Sequence, residues 1–148
     1  MPIAAAAPSS APRPRHIDAA LLVLRIVVGI IFIMHGGQKF FVWGIGGTTQ
    51  AFGGMGVPIP GFTAPLVAVV ELFCGIAVLI GLLTRLAAIP LVIDMLSAIL
   101  LVHAKNGFFG KGIEFPLVLG TGALVLLLAG SGAYGVDAVL GRRGSREA

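Results

Sequence analysis

Residues 19–34 read AALLVLRIVVGIIFIM, sixteen positions with one charge, Arg25, and neither proline nor a turn-forming pair to interrupt them. With its flanks the run covers residues 17–35, close to the ~20 apolar residues that cross the hydrocarbon core of a bilayer as a helix. Arg13 and Arg15 before an apolar run are also the marks of a secretory leader. This run, however, is long, contains Arg25 and ends in His35-Gly36-Gly37 without a small-residue cleavage site, so it reads as an uncleaved first membrane helix.

Three further apolar runs follow. Residues 65–83 open with Pro65, a residue preorganised for a helix start. Residues 85–103 come directly after Thr84, so the second and third helices make a tight antiparallel hairpin. Residues 114–133 supply the fourth. In all, 57% of the 148 residues are apolar and 11% charged, with a mean hydropathy of +1.05, against about 25% charged in soluble domains. The expected fold class is therefore all-α, an integral membrane bundle of four transmembrane helices over residues 16–140. An Ala/Pro/Ser tail (1–15) precedes it, expected to be disordered, and a basic tail (141–148) follows.

Arg13, Arg15, Arg85, Arg142, Arg143 and Arg146 fall on one side of this arrangement and Lys39, Lys105 and Lys111 on the other. Six against three places both termini in the cytoplasm of a multi-pass plasma-membrane protein. The net charge of +4 is spread over termini and loops without a basic stripe, which speaks against nucleic acid as a partner. The long connection, residues 36–64, carries Phe40, Phe41, Trp43, Phe52 and Phe62 among glycines, as suits a segment lying along the interface and covering one mouth of the bundle. Pro90 removes one backbone hydrogen bond from the third helix.

Charges inside a bilayer cost about 2.5–3.5 kcal/mol each on insertion scales and so face partners within the bundle. Counting up from the inner helix ends at 1.5 Å per residue sets Arg25 about 12 Å deep, Asp94 about 13.5 Å and Glu71 about 18 Å. The expectation is an intramembrane network in which Arg25 pairs with Asp94 and Glu71 is a third, protonatable member. A clamp that orders the helices and a proton or ligand site fit it equally.

At the outer mouth lie His35, Gln38 and Lys39, His103 and Lys105, and Lys111 and Glu114. They form a candidate ring for an anion or a quinone head group, lysine giving charge and neutral histidine exchanging protons; headgroup contacts and loop capping are the plainer use of each. His35 and Lys39, four apart, share a helix face. No HExxH or CxxC spacing points to a metal site, and the glycine-rich stretches lack the lysine and strand context of a phosphate loop. Cys74, the single cysteine, reads as a small packing residue. No residue is assigned a catalytic role.

Several motifs combine into a resemblance. Leu24-Arg25, Gly29 and His35-Gly36-Gly37-Gln38-Lys39-Phe40 are followed by Gly56-Val57-Pro58, Val70-Glu71-Leu72-Phe73-Cys74-Gly75 and Leu79-Ile80-Gly81-Leu82-Leu83-Thr84-Arg85. Over residues 17–140 the chain resembles the DoxX family of small bacterial four-helix membrane proteins. The resemblance carries over Arg25, His35, Lys39, Glu71 and Arg85, while Cys74 stands where the family has a small residue. It implies a membrane subunit of a redox-linked complex that contacts quinone or a sulfur-containing small molecule, with a soluble oxidoreductase as partner. A small-molecule transporter or binding protein, working as a homo-oligomer, and a scaffold without chemistry are the alternatives.

Overall fold

The computed structural model describes residues 13–144, with side chains through residue 141. Most of the Ala/Pro/Ser tail (1–12) and residues 145–148 of the basic tail lie outside the described residues, as do the side chains of Arg142 and Arg143. The described chain is mostly helical, with no strand among the described residues: α1 Arg15–Val42, α2 Gly44–Met55, α3 Pro60–Ile80, α4 Thr84–Asn106, α5 Glu114–Ala129 and α6 Val136–Gly144. Of these, α1, α3 and α4 are long and apolar enough to cross a bilayer, at 28, 21 and 23 residues. The fourth apolar helix, α5, has 16.

The four apolar helices close a ring in which α1 packs on α3 and α5, and α4 on α5 and α3. Leu21, Val28 and Phe32 of α1 meet Val78, Leu91, Leu119 and Leu126 in the core. The outward faces are as apolar as the core, with Val23, Met34, Phe73, Ile93, Leu100, Val118 and Leu128 exposed. An apolar ring of this extent has a lipid environment as its natural solvent.

With no hydrophobic drive between helices in lipid, close backbone approach matters most, and glycine permits it. A Cβ on Gly29 would sit 2.8 Å from Leu79 Cβ, and one on Gly36 would fall 2.9 Å from Leu72 Cα. With Gly75, where a Cβ would meet Ile33 N at 3.0 Å, these glycines form the seam between antiparallel α1 and α3.

The helix limits differ from the sequence expectation for local reasons. The first helix runs on to Val42, because the backbone of Gly36 and Gly37 stays helical and a π-helical turn, Gln38–Val42, extends it. The second expected span starts at Pro60, whose missing N–H costs nothing at the first helical position, leaving Pro65 inside it. The fourth stops at Ala129, where Gly130 and Gly132 turn left-handed at φ 81° and 70°. The expected connection is itself mostly helix: α2 occupies much of it and packs on the first turns of α3.

Candidate functional site

Three of the polar residues flagged from the sequence converge. Lys39, on the π-helical turn of α1, places its Nζ 2.5 Å from Glu71 Oε2, on a second π-helical turn, Val70–Cys74, within α3. Lys39 is 8% and Glu71 4% exposed, and this is the one ion pair among the described residues. Asp94 of α4 is the nearest further carboxyl to Glu71 and interacts with it electrostatically. Its Oδ2 is buried and has no donor. A π-turn inserts one residue and swings a side chain off the regular helical register, a device that recurs at functional positions.

Widening the α1 turn also frees a backbone carbonyl. Thr48 of α2, fully buried, answers it: its hydroxyl lies 3.0 Å from Lys39 O and 2.9 Å from Gly44 O. Phe52 and Val57 cover a cavity of about 70 Å³ that is floored by Asp94 and Ser97. Thr48 was not singled out from the sequence, since one threonine in a Gly-rich connection carries no signal until α2 folds over the cluster.

Next to this cluster, Ile33, Met34, His35, Gln38, Phe41 and Leu72 line a groove of about 620 Å³. His35 and Gln38 are its polar side chains. The half-buried His35 ring packs on Phe115 at the start of α5, with centroids 5.6 Å apart. Lys39 Nζ also lies 3.5 Å from the backbone carbonyl of His35 one turn back.

Three other members of the expected outer ring, His103, Lys105 and Glu114, have backbone partners of their own. His103 Nδ1 is 2.8 Å from Lys111 O; a carbonyl only accepts, so Nδ1 carries the proton. Lys105 Nζ donates to Met55 O at 3.2 Å, tying α4 to the end of α2, and Glu114 Oε1 accepts from Gly110 N at 2.8 Å. These three side chains fasten loops, whereas His35 and Gln38 face the groove and Lys39 pairs with Glu71. No three His, Cys, Asp or Glu side chains converge as metal ligands among the described residues.

The expected Arg25–Asp94 pair is corrected. Arg25, 2% exposed, turns to the opposite end of the bundle. Its Nε donates to Val78 O at 3.2 Å, Nη1 to Ser131 O at 2.6 Å, and Nη2 to Leu79 O at 3.2 Å and Tyr134 O at 3.5 Å. The depth argument assumed that a buried cation needs a carboxylate. The last carbonyls of α3 carry the negative end of the helix dipole and keep lone pairs free beyond the Gly81 N–H that caps Val78 O, which suits a guanidinium as well. Asp94 consequently belongs with Lys39 and Glu71, and Arg25 is a clamp on the ends of α3 and α5.

Two carboxylates that went unnoticed complete that end. Asp137 of α6 accepts from Leu83 N at 2.6 Å and Thr84 N at 3.0 Å, capping α4 from outside. Asp18 Oδ1 accepts from Ala133 N at 2.9 Å. One signal for Asp137 was present: a helix beginning at Leu83-Thr84 with no acidic or amide residue before it has bare N–H groups to fill.

A ring of apolar helices with buried polar residues at each end defines a small multi-pass membrane protein. The chain belongs to the DoxX family, whose model matches residues 20–104 and so takes in Arg25, His35, Gln38, Lys39, Glu71 and Asp94. It is 36% identical to "Uncharacterized membrane protein Rv3486" of Mycobacterium tuberculosis, over 97% of this chain and 96% of the relative. It is 36% identical to "Putative oxidoreductase CatD" of Bacillus subtilis, over 83% and 88%. It is also 36% identical to "Inner membrane protein YqjF" of Escherichia coli, over 85% and 95%. No solved structure matches.

Proposed function

We propose that this protein is the membrane subunit of a redox-linked complex, holding a quinone ring in the His35–Gln38 groove with the Lys39–Glu71–Asp94 cluster as proton store. The observation that carries the reading is adjacency. A lipid-facing groove of about 620 Å³ with two polar side chains is lined by Gln38 and Leu72, the immediate chain neighbours of the buried pair Lys39 and Glu71. Pockets for small molecules combine apolar walls with a few placed polar groups in this way.

Two carboxyl groups facing one ammonium in a dry site are least costly with one proton between them. Quinone reduction takes up two electrons and two protons. The cluster passes on the two protons one after the other, refilled from water after each; the two electrons come from a soluble oxidoreductase, since the sequence has one cysteine and no CxxC couple. The name of the Bacillus relative lends support. In this reading α5 is the fourth span, with both termini cytoplasmic on the side of the six arginines. At about 24 Å it is shorter than the ~30 Å hydrocarbon core, and the bilayer thins beside it.

The test uses Trp43, the single tryptophan, which follows groove residue Val42. A short-chain quinone added to protein in nanodiscs should quench its fluorescence saturably, and His35→Ala or Gln38→Ala should weaken that binding. Linear quenching, unchanged in both variants, would leave the scaffold reading, which the four-carbonyl clamp of Arg25 favours.

A further inference from the structure

At the end opposite the proposed quinone groove, Arg13, Arg15, Arg85, Thr84 and Gly130 border a cavity of about 810 Å³. Two of these arginines converge on the end of α5. Arg13 Nη1 donates to Ala129 O at 3.0 Å, and Arg85 lies over the next residue, where a Cβ on Gly130 would be 3.2 Å from its Nε. Like charges gathered on neighbouring residues repel unless an anion lies between them. Among the described residues no carboxylate forms an ion pair with either. Asp18 and Asp137 also border the cavity, but their carboxylates already accept from Ala133, Leu83 and Thr84 backbone N–H groups.

A second observation is independent of the charges. Thr84 is fully buried at this cavity, and its Oγ1 has no hydrogen-bond partner. A buried hydroxyl left unmade costs about 1–3 kcal/mol, so its proton has use for an acceptor. A third concerns shape: Leu83 and Leu86 border this cavity and also an apolar groove of about 400 Å³ that continues past Cys74 and Ala87 to Pro90 between α3 and α4.

We propose that this is a binding site for one anionic phospholipid, its phosphate held by Arg13, Arg15 and Arg85 and an acyl chain laid in the groove towards Pro90. Guanidinium forks match phosphate geometry. The adjoining apolar groove, which shares Leu83 and Leu86 with the cavity, selects a lipid over free phosphate, which would leave it unused. The site is independent of the quinone reading.

The full chain, purified and titrated in zwitterionic detergent with phosphatidylglycerol or phosphatidylcholine, is followed by native mass spectrometry. One phosphatidylglycerol should be retained in preference to phosphatidylcholine and should resist millimolar inorganic phosphate. The double variant Arg13→Gln/Arg85→Gln should retain it about 30-fold less well, as expected for two lost contacts between arginine and an anionic lipid. Equal retention of the two lipids overturns the proposal, as does an unaffected double variant. Displacement by phosphate overturns it in favour of a free-anion site. If the double variant does not fold, lipid preference and phosphate competition on the wild-type chain decide.

Discussion

Lys39 and Glu71 meet across two π-helical turns, one on α1 and one on α3, so the ion pair sits where both helices have left regular register. Cation and carboxylate are each buried, and neither has another charged partner except the Asp94 carboxyl beside Glu71. Breaking a buried pair from one side leaves an uncompensated charge.

Lys39→Met should therefore destabilise the bundle by about 3–5 kcal/mol. The double variant Lys39→Met/Glu71→Gln should lose clearly less than the sum of the single losses. Reversible unfolding in mixed micelles, read by circular dichroism over the four-protein cycle, checks this; strict additivity would contradict the buried pair.

For Arg25, the prediction concerns partners. Arg25→Met orphans carbonyls at the ends of α3 and α5 and should cost at least ~2 kcal/mol. Combining Arg25→Asp with Asp94→Arg should rescue nothing, because the two residues serve opposite ends of the bundle. A coupling energy beyond about 0.5 kcal/mol in that cycle would restore the direct pair.

The glycine seam separates crowding from intrinsic helix propensity. Gly36→Ala pushes a methyl group against the Leu72 backbone and should cost about 1–3 kcal/mol. Gly46→Ala, in α2 with open space around it, should be neutral or stabilising by up to about 1 kcal/mol. Thermal midpoints of the two variants in one detergent compare them directly.

Asp137 holds the α3–α4 hairpin from a distant element, and Leu83 there adopts a left-handed φ of 46°. Asp137→Ala should cost about 1–2 kcal/mol, the usual loss of a helix N-cap. Hydrogen exchange should speed up at the Leu83 and Thr84 amides first; unchanged protection there would mean that the cap contributes nothing.

The individual residues show why some of the site was legible and some was not. Glu71 and Asp94 stood out because an ionisable group within an apolar run is costly anywhere in the chain. Their cation was misassigned. Depth counted along straight helices pointed to Arg25, and Lys39 was placed at the mouth with the loop residues. The π-turn that carries Lys39 inward, and the carbonyls that occupy Arg25, come from packing and leave no periodic signature. Thr48 and Asp137 escaped for a related reason: each acts on an element far away in sequence.

By itself, then, the sequence determined the all-helical class, the number and approximate position of the long apolar runs, and the DoxX resemblance, because transfer of apolar side chains out of water is a local, additive property of composition. Only the tertiary structure decided which charge meets which, where the helices end and which mouth α2 covers. Those outcomes depend on backbone groups left unpaired at helix ends and π-turns, and which side chain can reach them is known only once the four helices stand beside one another.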